Sequence, residues 1–506
     1  MPQGLPLTRR AFVAAAAASA FTLAAGGRTG ARAALSDDAY ATMTAAQAIE
    51  AIGAGRTTVL DYVEALMARA DRLKMLNAFI TQDKDVVRAA ARALDARIGA
   101  GESAGPLSGL PFCVKDNTNT SDMQTTGGTV AFKGWLPPAN APVVQSLRDA
   151  GGVMIGKTNM HELAFGITSN NAAWGPVGNP YNAGLIPGGS SGGTAAAVAA
   201  GLAPVGLGSD TGGSCRIPAA LCGCVGFRPT LGRYPQDGII PLSSTRDTSG
   251  PLARTVADAI LVDSICAADA PMQLDLSLSG ARIGVPRQYF YDNLDRQLAA
   301  VVEHALDTLA DAGAEPVEVD LPGIADLNGA VSFPVVLYEV LREMSAYLYK
   351  NGSPLTVAEV VAKVAGAGER GILSSQLGAE AVPAAVYRDA LVVARPRLIA
   401  AYQAYFDDNR LAVMMVPTTP LPARPIGQEE TVELNGEQVP TFLTYIRNTD
   451  PPSNAGVPCL SVPAGLTADG LPVGVEFVGP PGADATVLGI GRAFEAARGP
   501  FPGPEL

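Results

Sequence analysis

The sequence predicts an α/β protein, a large mixed β-sheet covered by helices on both faces, and three observations carry that prediction. From Leu110 onward, short apolar runs such as Pro111-Phe112-Cys113-Val114 and Gly152-Val153-Met154-Ile155 alternate with helical stretches, the texture of a sheet buried on both sides. The 506 residues are 48% hydrophobic and 17% charged, which supplies a large core without staples. No fixed-period repeat runs through the chain, so a repeat architecture is not indicated.

In chain order, residues 1–33 differ from the rest. Arg9-Arg10, an apolar run over 14–25 and an Ala31-Arg32-Ala33 site read as a twin-arginine signal peptide, so the mature chain is expected to be periplasmic or secreted. Residues 34–506 then form one large domain. Leu60, Val63 and Met67 recur at helical spacing, and 85–98 forms a second helix stopped by Gly99. The part from 281 to 410 is mostly helical, with strands expected at 281–285 and 316–320. Within it, 287–410 is read as a variable helical segment that walls or lids a pocket. Strands return at 412–416 and 473–477. No run beyond the first is long and apolar enough for a membrane span.

The full chain carries a net charge of −12. Removing the first segment takes away Arg9, Arg10, Arg28 and Arg32, leaving 32 basic and 48 acidic residues, a net of −16. Nucleic acid is excluded as a partner on that balance. Cys113, Cys215, Cys222, Cys224, Cys266 and Cys459 sit in apolar or glycine-rich surroundings and read as reduced core residues. Cys222-Gly223-Cys224 has no matching second pair, and His161-Glu162 lacks a second histidine at zinc-ligand spacing, so no metal or cofactor is expected.

The chemistry concentrates in 187–233, where Gly188-Gly189-Ser190-Ser191-Gly192-Gly193 and Ser209-Asp210-Thr211-Gly212-Gly213-Ser214-Cys215-Arg216 each embed a serine in glycine. Such turns present several backbone N–H groups to a ligand, although each serine could instead be a helix N-cap. With only two histidines in the chain, a histidine-based triad fails. Ser191 fits a G-x-S-x-G pattern, but only His304 follows it, on a helix beside a glutamate, and a loop rather than a strand precedes it. Gly151-Gly-Val-Met-Ile-Gly156-Lys157-Thr158 satisfies the phosphate-loop pattern and supports an alternative, a nucleotide-binding protein. Its 153–155 stretch reads as the strand itself, which argues against that alternative.

A lysine is the remaining base. Lys115 ends the apolar run 110–114, and burial there would disfavour its charge. Two readings stand: a base for a serine, or a strand-end lysine paired with Asp116 beside it.

Lys115, the two Gly-Ser clusters, Gly226-Phe-Arg-Pro229-Thr230, and the later Asn454-Ala-Gly456-Val-Pro458 and Gly470-Leu-Pro472-Val-Gly474 closely resemble the amidase signature family. The resemblance covers most of 34–506 and is weakest across 287–410. It implies a Ser–Ser–Lys triad: Ser214 as nucleophile, Ser190 as bridging serine after a cis Gly189–Ser190 bond, and Lys115 as base. It further implies an oxyanion hole from the backbone N–H groups of Thr211, Gly212, Gly213 and Ser214, with Gly189, Asp210 and Arg216 in support, Arg216 bracing the loop. The implied substrate is a small-molecule amide, and the implied assembly leaves room for a homodimer. Residues 446–456 resemble the branch that cleaves aryl-acetamides.

Overall fold

The computed structural model describes residues 35–267 and 276–506; the expected signal peptide lies outside them. In chain order the strands are β1 (Phe79–Thr81), β2 (Pro111–Lys115), β3 (Val153–Thr158), β4 (Asn170–Asn171), β5 (Gly175–Pro176), β6 (Val205–Asp210), β7 (Val225–Arg228) and β8 (Thr248–Ala253). They continue as β9 (Arg282–Val285), β10 (Glu315–Glu318), β11 (Val413–Pro417), β12 (Thr431–Leu434), β13 (Glu437–Pro440), β14 (Cys459–Leu466) and β15 (Pro472–Val478). Eleven of them form one sheet in the order β1-β3-β2-β6-β8-β7-β14-β15-β11-β9-β10. It is mixed, as expected: β2 runs parallel to β3 and β6, and β9 to β10 and β11, while the other pairings are antiparallel.

Helices cover both faces because successive side chains of a strand point to opposite sides. On β14, Ser461 faces Gly474 and, with it, Ala220 of the helix Arg216–Cys222. Its neighbours Leu460 and Val462 lie against Gly491 of the helix Asp484–Arg498. The helix Gly192–Ala199 packs with Arg216–Cys222, and Val256–Cys266 packs with Asp484–Arg498. Glycine makes the close approaches possible: a Cβ on Gly226 would stand 2.5 Å from the carbonyl of Cys215.

The helices expected early in the chain form as Val59–Arg72 and Lys84–Gly99. Among the described residues one further stretch, 324–350, is a weak candidate for a membrane span, by length and by a mean hydropathy of 1.4 over 18 of its residues. Here it forms two helices, Ile324–Gly329 and Ser332–Lys350, and the second buries Glu339 among Val335, Val340 and Met344. A carboxylate seated among those apolar side chains marks a face packed against protein.

Two parallel strands fix the place of the chemistry. Lys115 is the last residue of β2 and Asp210 the last of β6, so both stand at the carboxyl ends of adjacent strands, where open α/β sheets form ligand crevices.

Candidate active site

Lys115 is fully buried, and its Nζ donates to Ser190 Oγ at 2.7 Å and to Ser209 Oγ at 2.8 Å. Asn117 Nδ2 donates to the same Ser209 hydroxyl at 3.0 Å. Burial pushes the Lys115 ammonium from its ordinary 10.5 down to about 8. Asp116 does not pair with it. That carboxylate accepts from the N–H and hydroxyl of Thr126 and pairs with Lys157 Nζ at 3.2 Å. Of the two readings of Lys115, the ion pair with its neighbour is removed.

The Gly189–Ser190 peptide is cis. Its Ser190 carbonyl accepts from the N–H of His161 at 3.1 Å and from the Ser169 hydroxyl at 3.4 Å. Three serines meet here with different surroundings. Ser190 and Ser191 have no exposed surface, whereas Ser214 keeps 7%. The Ser191 hydroxyl donates to the carbonyl of Ser209 at 3.1 Å and accepts from its N–H at 3.3 Å, so it ties the cluster to β6. Neither serine acts as a side-chain cap: the helices Gly192–Ala199 and Arg216–Cys222 begin without one.

Asp210 organises the turn that follows β6. Its carboxylate receives the N–H of Gly213 at 2.9 Å and of Cys215 at 3.1 Å, the Nε and Nη2 of Arg216 at 3.1 and 2.9 Å, and Arg228 at 3.0 Å. Burial alone would raise this carboxyl, but Arg216 and Arg228 overcome it and hold it well below the usual range. Arg216 also reaches Glu476 at 2.6 Å and Ser453 at 2.6 Å, so it braces the loop against β15.

One expectation about the hole needs correction. The N–H of Gly213 is taken by Asp210, which removes it from the available donors. Among the described residues the N–H groups of Thr211, Gly212 and Ser214 have no partner within the chain. Gly213 supplies backbone freedom instead, with φ at 138° and Thr449 where a Cβ would stand.

The remaining motifs are structural. Residues 153–158 are the strand β3, Lys157 is fully buried against Asp116, and Lys157 donates to Thr125 at 2.6 Å, so the stretch that matches the phosphate-loop pattern is a buried strand and not an open loop. His161 contacts Glu369 at 2.6 Å, and His304 is exposed on the helix Arg296–Asp311, where it lines an open groove of about 900 Å³ that contains none of Lys115, Ser190 and Ser214. All six cysteines are free and buried. Sequence reasoning missed Ser209, Asn117 and Arg228, although Ser209 and Arg228 stand inside the motifs that drew attention.

The family model described as Amidase matches residues 61–488. The chain belongs to the amidase family. It is therefore an amide hydrolase acting on C–N bonds other than peptide bonds. It is 44% identical over 452 residues to an indoleacetamide hydrolase of Agrobacterium vitis, spanning 89% of this chain and 96% of that enzyme. A mandelamide hydrolase of Pseudomonas putida is 39% identical over 464 residues, 88% of this chain and 90% of that one. The native peptide amidase of Stenotrophomonas maltophilia superposes with a TM-score of 0.78 at 30% identity, covering 90% of this chain and 97% of that structure.

Proposed function

We propose that this amidase hydrolyses an aryl-acetamide through Ser214, Ser190 and Lys115. The observation that carries the mechanism is a fully buried lysine with two hydroxyls and no carboxylate in contact, 2.7 Å from a serine at the carboxyl end of its strand. The substrate class rests on the indoleacetamide and mandelamide hydrolases, two relatives that share an aryl group one carbon from the amide.

Neutral Lys115 accepts the Ser190 hydroxyl proton while Ser190 Oγ accepts the proton of Ser214. Ser214 Oγ bonds to the amide carbon, and the carbonyl electron pair moves onto oxygen. The N–H groups of Thr211, Gly212 and Ser214 stabilise that oxyanion. Collapse breaks the C–N bond, and the proton returns from Lys115 through Ser190 to the departing nitrogen, which leaves as ammonia. Water adds to the Ser214 ester by the same relay, releasing the carboxylic acid and restoring all three groups.

Ammonia release across a panel of aryl-acetamides, alkyl amides and peptide amides tests the substrate. A serine-directed fluorophosphonate, followed by peptide mapping, is expected to label Ser214; a label on Ser191 would contradict the assignment. In the same reading the chain is exported through Arg9-Arg10 and is periplasmic or secreted. Fractionation of native cells should then find protein beginning near Ala34 outside the cytoplasmic membrane. Full-length protein in the cytosol, unaffected by Arg9→Lys with Arg10→Lys, would overturn the export.

A further inference from the structure

Thr211 is held from two sides by one short turn. Its hydroxyl donates to Asp247 Oδ1 at 2.6 Å, and its carbonyl accepts from Arg246 Nη2 at 3.3 Å. Asp247 is itself fixed, because its Oδ2 accepts the N–H groups of Leu242 at 2.8 Å and Ser243 at 2.9 Å. The turn is clamped in its place by the helix Ser332–Lys350. Buried Glu339 of that helix accepts from Ser243 Oγ at 2.5 Å, from Thr245 Oγ1 at 3.1 Å and from Tyr387 Oη at 2.7 Å. At the start of the same helix, the carbonyl of Ser332 accepts from Arg246 Nη1 at 3.1 Å.

We propose that Asp247 is a positioning residue for the oxyanion turn, and that Glu339 couples the 287–410 segment to it through the Ser243–Asp247 turn. The inference rests on the proposed role of the Thr211, Gly212 and Ser214 N–H groups. The Thr211 carbonyl shares a rigid peptide plane with the Gly212 N–H, so the Arg246 contact orients that donor, while the Asp247 contact fixes the Thr211 side chain from the same turn. A donor set stabilises a developing oxyanion only if it is aimed beforehand. Asp210 secures the turn on its buried side through Gly213 and Cys215, and Asp247 secures its first donor. The segment in which the resemblance to the family is weakest thus reaches the turn that carries the donors, through Glu339, Ser243 and Asp247 in succession.

Steady-state kinetics on folded variants tests this, with the KM-against-kcat split as the readout. Asp247→Ala should lower kcat by about tenfold or more while KM stays within about twofold, since the lost interaction belongs to the transition state. Asp247→Asn, which keeps a polar partner for Thr211 and an acceptor for Leu242 and Ser243, should recover part of that loss. Glu339→Ala should lower kcat in the same direction, with Glu339→Gln recovering part of it. An aldehyde analogue that forms a tetrahedral adduct with Ser214 should bind more weakly by the same factor as kcat/KM, and the carboxylic acid product should bind as before. Thr211→Val tests the same link from the other end, also where Asp247→Ala does not fold, and combined with Asp247→Ala it should add no further loss. Unchanged kcat in folded Asp247→Ala and Thr211→Val would overturn the proposal, as would equal losses for adduct and product, or additive losses in the double variant. Turnover by Ser214→Ala would instead defeat the underlying reading of the site.

Discussion

Two lysines, one strand apart, separate what burial does from what a partner does. Lys115 and Lys157 sit on the parallel strands β2 and β3, one residue out of register, and neither has exposed surface. Burial pushes both ammonium groups down. Lys157 faces the Asp116 carboxylate at 3.2 Å and the Thr125 hydroxyl at 2.6 Å, whereas Lys115 meets only the hydroxyls of Ser190 and Ser209 and the Ser209 carbonyl. The Asp116 carboxylate opposes that shift at Lys157, whereas no carboxylate touches Lys115, which loses its proton at about 8 and has a serine in place to supply another. The pairing of Asp116 with Lys157 is what makes this division possible.

The largest effect expected from that contrast is on turnover. Lys115→Ala should reduce kcat by on the order of 10³-fold or more with the fold intact by circular dichroism, as loss of a member of a catalytic unit does. Comparable turnover in that variant would erase the distinction. Lys157→Met should act on stability instead. It leaves Asp116 buried without its ion-pair partner and should cost about 3–5 kcal/mol in urea unfolding, with kcat retained in the folded fraction. Adding Asp116→Asn should return much of that loss, because the stranded charge is gone.

A smaller effect runs in the opposite direction at Lys115. A proton released at about 8 instead of 10.5 corresponds to a burial penalty of about 3 kcal/mol on the charged form. The unfolded chain binds that proton more tightly, so the penalty is fully present below about pH 8 and fades as the pH rises from there toward 10.5. Lys115→Met, inactive, should therefore be more stable than the native enzyme by up to about 3 kcal/mol near pH 7, with the gain shrinking toward pH 10 in urea unfolding. A loss of stability near pH 7, equal to that of Lys157→Met, would mean that the two lysines are alike.

The contrast also explains what was legible in the sequence. β2 and β3 were readable because 110–114 and 153–155 are continuous apolar runs, and the helices Val59–Arg72 and Lys84–Gly99 because their apolar residues recur at helical spacing. β6 and β8 gave no such signal: Val205-Gly-Leu-Gly-Ser-Asp210 and Thr248-Ser-Gly-Pro-Leu-Ala253 are buried throughout, yet their glycine, serine and proline read as turns. The glycine is there because Ser191, Cys215 and the backbone of Phe227 occupy the space a Cβ would need on Gly208 and Gly250. Lys115, Ser190 and Ser214 stood out through motif and chemistry. The direction in which Asp116 turns did not, since its partner Lys157 lies 41 positions along the chain. The grip of Asp247 on Thr211 likewise spans 36 positions and leaves no local pattern.

The pH dependence of kcat/KM for an aryl-acetamide tests the central claim most directly, because it reports the ionisation of the free enzyme. The account predicts a single acid limb, with kcat/KM rising in proportion to hydroxide until the group at about 8 has lost its proton and then levelling, and with its midpoint unmoved in His161→Ala and His304→Ala. A limb centred near the ordinary histidine range, or one displaced or abolished by either histidine variant, would contradict a neutral Lys115 as the base.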